Sequence, residues 1–171
     1  ILSVKKLLEK IFKKQEKVII WTCFNKNCSL LANYFKKYNI VQVCGNIPIT
    51  EREKNLKSFK QDPAVKILVA TPGSAKEGLT LTVANHAIFF DRLYSLDDYL
   101  QAQDRIHRVS QNKTCYVYNL ILKDSIDEWV DRLIESKYLA AKLTQGDISV
   151  EEFNENANFD FAKIIREILQ G

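Results

Sequence analysis

Two arginines stand three residues apart in a stretch that could carry phosphoryl-transfer chemistry. That stretch reads Gln101-Ala102-Gln103-Asp104-Arg105-Ile106-His107-Arg108-Val109-Ser110-Gln111. At roughly 100° per residue, Gln101, Arg105 and Arg108 share one helical stripe, while Ala102, Ile106 and Val109 share another that can pack. A guanidinium fork matches phosphate oxygens in a plane, so an arginine pair suits the charge of a transferring phosphoryl group. A solvated helix with Arg105 bonded to a nearby acid is the alternative interpretation.

Alternating strands and helices would position this stretch. Apolar, β-branched runs at residues 17–24, 40–44, 66–70, 87–90 and 114–122 are typical of buried parallel strands. Helical patterns cover residues 1–15, 27–38 and 51–60, the segment that follows Ser95, and residues 125–143. Capping signals are predicted at residues 50–53, 125–128 and 149–152. The sequence therefore predicts an α/β fold, a doubly wound parallel sheet with helices on both faces.

A glycine-rich loop follows the strand at residues 66–70, but it is not a phosphate-binding P-loop. Gly73 and Gly78 have the P-loop spacing, yet Leu79 occupies the position where a P-loop has lysine. No buried strand ending in a magnesium-binding acidic pair follows it.

Several stretches resemble the motifs of one family, the Swi/Snf-type ATPases of helicase superfamily 2. Residues 101–111 are similar to its sixth motif, Q-A-x-D-R-x-H-R-x-G-Q, and depart from it only at Ser110, where glycine is usual. Residues 71–91 resemble its fifth motif, with Thr80 where asparagine is usual and a strand that ends in Asp91. Weaker likenesses to the fourth motif and to the region after it lie at Trp21-Thr22-Cys23-Phe24, and at Gly45-Asn46, Arg52 and Phe59.

The resemblance, which covers about residues 17–122, implies a role for each matching residue. It implies a RecA-like lobe in which Arg105 and Arg108 are arginine fingers. Nucleotide contacts are implied for Glu77, Gly78, Thr80 and Gln101. Contacts to nucleic acid are implied for Thr22, Gly45, Asn46, Arg52, Thr71 and Gly73. ATP and Mg²⁺ would be bound mainly by an N-terminal RecA-like lobe of the same polypeptide, and double-stranded DNA would be the tracked partner. The chain alone is expected to hydrolyse no ATP.

Charge and cysteine content bear on partners and metals. Residues 1–70 hold 14 Lys and Arg against 5 Asp and Glu, so the first half is a candidate phosphate-facing surface, although solvated helix faces are the alternative for any single lysine. The four cysteines, Cys23, Cys28, Cys44 and Cys115, match no zinc spacing and are expected to be buried reduced thiols. No metal site is expected. Trp21 and Phe24 are assigned to a buried strand, so no stacking platform for single strands is predicted.

Three regions are predicted: a leading helix or linker at residues 1–16, the RecA-like lobe at 17–123 and a C-terminal helical brace at 124–171. An apolar stripe at Ile164, Ile165, Ile168 and Leu169 favours packing of the last region. No apolar run is long enough for a membrane span, and no signal peptide is recognised, so an intracellular location is expected, either the nucleus or the cytoplasm of a prokaryote or virus-infected cell. The lack of methionine suggests a segment of a longer polypeptide.

Two alternatives remain open. One is a lobe of a strand-separating superfamily 2 helicase acting on DNA or RNA. The other is a non-catalytic nucleic-acid-binding module of the same fold. The presence of both arginines disfavours the non-catalytic module. The amino-acid sequence of residues 101–108 disfavours the strand-separating helicase.

Overall fold

The computed structural model describes residues 1–75 and 80–156, which form one parallel sheet with flanking helices. The strands are β1 (Val18–Trp21), β2 (Ile40–Val43), β3 (Ile67–Ala70), β4 (His86–Phe89) and β5 (Tyr116–Asn119). The helices are α1 (Leu2–Lys13), α2 (Asn25–Tyr34), α3 (Ile49–Gln61), α4 (Leu96–Gln103), α5 (Ile126–Gln145) and α6 (Val150–Asn156), with short 3-10 turns at Lys36–Tyr38 and Pro72–Ala75. The strand order is β2-β3-β1-β4-β5, and every pairing is parallel. The predicted α/β parallel sheet is confirmed.

The central strand β1 divides the core into two layers because its side chains alternate between the faces of the sheet. Ile19 and Trp21 pack on one face with Phe59 of α3 and Ala102 of α4. Val18 and Ile20 pack on the other face with buried side chains of α1 and α2, among them Leu8 and Leu31. Every residue of β1, β3 and β4 is buried, which explains why these strands are apolar throughout except at His86. Helices therefore cover both faces, as predicted.

Helix α1 belongs to this packing. Its Val4, Leu8 and Ile11 are buried in the second core layer. Near its end Glu16 accepts hydrogen bonds from Asn85 Nδ2 at 3.0 Å and is paired with the ring of buried His86 at 2.8 Å. These contacts attach the start of the chain to the amino end of β4.

Helix starts follow the predicted caps in two places out of three. At α6 the Ser149 hydroxyl accepts from the Glu152 amide while the Glu152 carboxylate accepts from the Ser149 amide, so this capping box is confirmed. The Ser125 hydroxyl accepts from the Asp127 amide at the start of α5. The box predicted at residues 50–53 is wrong, because Pro48 precedes the first turn of α3 and places Thr50 inside the helix.

The prediction of four reduced cysteines is wrong for one pair. Cys28 in the first turn of α2 and Cys44 directly after β2 form a disulfide across a sequence separation of 16. Both side chains are fully buried. Cys23 and Cys115 are free thiols. The sequence spacing gave no sign of the pair because the disulfide joins residues that only the sheet order brings together.

The described residues fall into two compact units. One comprises residues 1–93 and 97–120, and the other comprises Tyr94–Leu96 and the segment from Ile121, with α5 and α6 packed on each other. Within the second unit Lys137 Nζ donates to Tyr94 O at 2.6 Å. The apolar stripe predicted at residues 164–169 lies outside the described residues. In the described part of the chain no helix has the length and apolar content of a membrane span.

Candidate nucleic-acid and nucleotide sites

Most residues predicted to contact nucleic acid meet at the carboxyl edge of the sheet. Thr22 follows β1, Gly45 and Asn46 follow β2, and Thr71 and Gly73 follow β3. These three strands are neighbours in the sheet, so their loops lie side by side. Such an edge is where open parallel sheets bind ligands. The structure therefore brings these predicted residues together at one edge of the sheet, although not every side chain among them is available to a ligand.

The predicted contact between Thr22 and nucleic acid has to be revised, because the side chain of Thr22 is fully buried. Its hydroxyl donates to Asp91 Oδ2 at 2.5 Å and accepts from the Phe24 amide at 3.3 Å. A hydroxyl with both roles occupied inside the chain does not face a phosphate. The structure gives Thr22 a part in shaping the loop after β1 instead of a direct contact.

Asp91, which follows β4, holds that loop from the other side. Its Oδ1 accepts from the Cys23 amide at 2.6 Å, and its Oδ2 accepts from Asn27 Nδ2 at 2.9 Å in addition to the Thr22 hydroxyl. Burial and the negative charge of Asp91 raise the pKa of the Cys23 thiol to about 12, so the thiol stays protonated at neutral pH. The sequence assigned Asp91 no role, although a carboxylate directly after a buried strand was a usable signal.

The loop after β2 is held by Asn25 and Arg52. The Gly45 amide donates to Asn25 Oδ1 at 3.0 Å, and a Cβ built on Gly45 would lie 3.3 Å from the Asn25 side chain. Arg52 donates from Nε to Ile47 O at 2.6 Å and from Nη2 to Gly45 O at 3.0 Å. Arg52 is therefore a clamp on the loop, while Asn46 is exposed at its tip.

The turn after β3 is compact, and in it Thr71 is buried whereas Gly73 is exposed. The Thr71 amide donates to Val43 O at 3.1 Å, and its hydroxyl donates to Ser74 Oγ at 2.7 Å. Gly73 is exposed, and a Cβ built on it would meet nothing within 4 Å. The room beside Gly73 suits an approaching phosphate, which backbone amides of such a turn can meet without reading bases.

The arginine stretch differs from the predicted continuous helix. Helix α4 ends at Gln103, and Arg105 and Arg108 lie in the turns that follow. The physical reason is that the Arg105 carbonyl accepts from the Leu81 amide at 2.9 Å instead of from the next helical turn. The Ile106 carbonyl likewise accepts from Gln111 Nε2 at 3.2 Å. Tertiary hydrogen bonds thus override the helical pattern, and the predicted stripe of Gln101 with both arginines does not form.

The two arginines have different surroundings. Arg105 is 8% exposed, and burial lowers the pKa of its guanidinium, with the nearby charge of Arg108 lowering it further and Asp104 opposing. Arg108 is exposed, and its guanidinium donates from Nη1 to the Thr80 hydroxyl at 3.1 Å and from Nε to Asp104 O at 3.2 Å. The Arg105 guanidinium remains a cation at neutral pH. The structure thus exposes Arg108 to solvent and buries Arg105.

Gln111 fixes the arginine turns against the segment that leads into β4. Its Nε2 lies within hydrogen-bond distance of Thr82 O at 3.1 Å and Ala84 O at 2.9 Å, besides Ile106 O. Sequence reasoning gave Gln111 no role beyond its place in the motif. A surface cavity of about 510 Å³ lies beside these turns and is lined by Thr80, Arg108, Val109 and Ser110. The cavity is the candidate place for a phosphate group.

The other predicted nucleotide contacts are not all placed. Gln101 is exposed on α4, whereas Glu77 and Gly78 lie outside the described residues. Among the residues that the structure describes, no group of three or more metal-ligating side chains could hold a metal ion. Thr80 and Arg108 are therefore the pair that the structure brings together at this site.

The two candidate sites lie at opposite ends of the sheet. Gln111 contacts Ala84 just before β4 begins, whereas the loops with Gly45, Thr71 and Asp91 follow the strands' carboxyl ends. A strand of four residues spans about 13 Å. A lobe built in this way can meet a phosphate group at one end and a polyanion at the other.

Comparison with known proteins shows the family to which this chain belongs. Residues 3–110 match the model of the helicase conserved C-terminal domain. The chain is 31% identical over 144 residues to the human lymphoid-specific helicase, covering 83% of this chain and 17% of that protein. It is 33% identical over 138 residues to the ATP-dependent helicase FUN30 of Saccharomyces cerevisiae, covering 79% of this chain and 12% of that protein. The chain thus spans less than a fifth of these relatives.

Two solved structures share the architecture. The crystal structure of the C-terminal part of the Fun30 ATPase domain superposes with a TM-score of 0.72 at 32% identity, over 77% of this chain and 44% of that one. The SWI2/SNF2 ATPase core of Sulfolobus solfataricus in complex with double-stranded DNA has the same fold, with a TM-score of 0.66 at 24% identity over 93% of this chain and 35% of that one. The chain therefore belongs to the helicase conserved C-terminal domain family, and its likeness to the C-terminal RecA-like lobe of Swi/Snf-type ATPases is confirmed.

Proposed function

We propose that this chain is the second lobe of an ATP-dependent translocase that moves along double-stranded DNA inside the cell. The observation that carries the proposal is the placement of Arg108 beside Thr80 at one end of the sheet, with loops suited to phosphates at the other. Such a lobe can touch the nucleotide and the nucleic acid at the same time. The fold neighbour solved with double-stranded DNA supports the choice of duplex.

The nucleotide would be shared with a first lobe. Leu79 replaces the lysine of a P-loop, so a separate lobe with a P-loop and an acidic motif would bind ATP and Mg²⁺. Arg108 would then meet the transferring phosphoryl group, with Arg105 behind it. Closing and opening of the cleft between the lobes would move the protein along DNA.

The DNA contact would be mostly to the backbone. Asn46 and Gly73 are exposed at the carboxyl edge, and the Asn46 side chain and the backbone amides of the two residues can meet phosphates without reading bases. The basic first half of the chain adds attraction that weakens as salt displaces it. Binding should therefore show little sequence preference and a steep salt dependence.

Two assays on one preparation of the full-length protein test this function. Displacement of a triplex-forming third strand reports translocation along a duplex, and release of a strand from a forked duplex reports unwinding. We expect ATP-dependent triplex displacement without unwinding. The isolated 171-residue chain is the negative control and should release no phosphate from ATP. Turnover by that chain that survives repurification would contradict the assignment of the P-loop to another lobe.

A strand-separating helicase is the second candidate, and the side chain of Phe24 favours it. Phe24 was expected in a buried strand, but it is 53% exposed at the start of α2, at the same edge as Asn46. An exposed aromatic ring at such an edge can stack on an unpaired base. Efficient unwinding of the fork that Phe24→Ala abolishes would move the assignment to this candidate.

A further inference from the structure

Asp91 joins the end of β4 to the chain that follows β1. Its carboxylate accepts three hydrogen bonds, from the Thr22 hydroxyl, the Cys23 amide and the Asn27 side chain, at 2.5, 2.6 and 2.9 Å. All three donors belong to the β1 loop, defined here as residues 22–27, which comprise the connection after β1 and the first turn of α2. One carboxylate therefore determines the path of the chain from β1 into α2.

The effect of Asp91 extends to the exposed tip of the β1 loop. The Thr22 hydroxyl, which donates to Asp91, accepts from the Phe24 amide at 3.3 Å. The next residue, Asn25, accepts from the Gly45 amide at 3.0 Å. Hydrogen bonds thus run from Asp91 through the β1 loop to the loop after β2. Loss of the carboxylate would release two neighbouring loops of the carboxyl edge.

Asp91 is poorly suited to contact DNA directly. A carboxylate aimed at a phosphate repels it, whereas both oxygens of Asp91 are occupied by donors within the chain. A buried or half-buried carboxylate held by several donors is a strong local constraint, since hydrogen bonds to charged groups contribute more than neutral ones. The chemistry of the group therefore favours holding the loop over binding the ligand.

We propose that Asp91 is a positioning residue for DNA binding, and that it acts by fixing the β1 loop so that the loop's exposed residues 24–26 meet the duplex. This inference rests on the proposed function, because it requires that the carboxyl edge faces DNA. It adds a requirement that simple electrostatics does not predict. Removal of a negative charge near DNA should strengthen binding, whereas removal of this one should weaken it.

The test uses the full-length protein with Asp91→Asn, Thr22→Val and the double variant. Thr22→Val keeps the size of the side chain and removes one donor to Asp91, so it serves if Asp91→Asn folds poorly. Asp97→Asn is the matched control, since Asp97 is an exposed carboxylate in the first turn of α4. ATP turnover is measured against the concentration of duplex DNA, and amide hydrogen exchange is measured across residues 22–27.

We expect Asp91→Asn to raise the DNA concentration for half-maximal stimulation about tenfold, with turnover recovered at saturating DNA. Thr22→Val should also raise the DNA concentration for half-maximal stimulation. The double variant should need no higher a DNA concentration than Asp91→Asn, because both substitutions act on one loop. Asp97→Asn should leave the half-saturating concentration unchanged or slightly lower. Unchanged or tighter DNA binding by Asp91→Asn, or additive effects in the double variant, would overturn the proposal.

Hydrogen exchange separates this inference from the proposed function. Faster exchange of the Cys23 and Phe24 amides in Asp91→Asn is expected whether or not the protein uses DNA. If the wild-type protein binds no duplex and gains no turnover from it, the proposed function fails and the role in DNA binding fails with it. If DNA stimulates the wild type and exchange in the β1 loop is unchanged in Asp91→Asn, this inference alone fails.

Discussion

The Arg108 guanidinium donates to the Thr80 hydroxyl at 3.1 Å, and this bond joins two segments that the sequence separates by 28 residues. Thr80 belongs to the turn that precedes β4, and Arg108 belongs to the turns after α4. The bond restrains a long side chain that would otherwise sample many rotamers. A restrained guanidinium is better placed for a developing phosphoryl charge than a free one.

Removal of either partner should slow ATP hydrolysis to different extents. In the full-length protein we expect Arg108→Ala to lower DNA-stimulated turnover on the order of a thousandfold. Thr80→Val should lower it between about 10-fold and 100-fold, because the arginine stays but loses its restraint. Single-turnover hydrolysis measures both effects, and binding of a fluorescent ATP analogue should change little.

Thr80→Ser is the matched control, since it keeps the hydroxyl that accepts from Arg108, and its turnover should stay near that of the wild type. A Thr80→Val protein that is faster than the wild type would contradict the prediction. It would mean that the bond holds Arg108 in an unproductive position.

Arg105 should contribute to stability as well as to turnover. Its side chain is 8% exposed, so Arg105→Ala removes packing and buried hydrogen-bonding capacity. We expect a loss of about 1 to 3 kcal/mol in the free energy of unfolding, together with loss of hydrolysis. Arg105→Lys should recover most of the stability through its stem and charge, but not the turnover, because an ammonium lacks the fork. Urea unfolding and ATPase assays of the same samples check both parts, and full turnover by the lysine variant would refute the finger role.

The sequence was informative where local pattern and tertiary packing agree. Ile19 and its neighbours in β1 are apolar because both faces of the strand are covered, so the sheet and its helices could be predicted. The arginine turns could not be predicted, because the end of α4 depends on the Leu81 amide reaching the Arg105 carbonyl. Helical spacing alone carries no information about such a distant donor.

In the candidate sites, too, the features set by local sequence were predicted and the features set by contacts between distant residues were not. Residues 45, 46, 71 and 73 were predicted from short motifs, and the structure places all four directly after strands, which is a local property. The burial of Thr22 was missed because its partner, Asp91, is 69 residues away in the sequence. The exposure of Phe24 was missed because the apolar run continues past the last residue of β1. Hydrogen bonds between distant loops need the strand order before they can be inferred.

The disulfide between Cys28 and Cys44 predicts how many cysteines of this chain react with an alkylating reagent before reduction. When N-ethylmaleimide is present during lysis and denaturation, two of the four cysteines of this chain, Cys23 and Cys115, should be alkylated. Cys28 and Cys44 should be alkylated only after the disulfide is reduced. The bond closes a loop of 16 residues, for which chain entropy gives a stabilisation of about 3 kcal/mol. Mass spectrometry counts the thiols, and urea unfolding of a Cys28→Ala, Cys44→Ala protein measures the loss. Four alkylated cysteines before reduction would show that Cys28 and Cys44 are reduced in the cell, as the cysteine spacing predicts.

The contacts of Glu16 predict how stability depends on pH. Its hydrogen bond with His86 is the largest influence that lowers the pKa of Glu16 below its ordinary value of 4.5, with Asn85 and Lys113 lowering it further and burial opposing. A lowered folded-state pKa means that this stabilisation is present above about pH 4.5 and is lost as the pH falls through the folded-state value. Glu16→Gln should therefore cost about 1 to 3 kcal/mol at pH 7, and the difference from the wild type should shrink below pH 4.5.

Urea unfolding between pH 3 and pH 7.5 measures this difference, with Glu9→Gln as the control because Glu9 is exposed on α1. The control should follow the wild type at every pH. Protonation of the Glu16 carboxylate removes the charge that attracts the His86 ring and Lys113, so the wild type should approach the stability of Glu16→Gln in acid. A stability difference that stayed constant down to pH 3, or grew there, would mean that Glu16 acts by packing alone and that the carboxylate does not hold the start of the chain to β4.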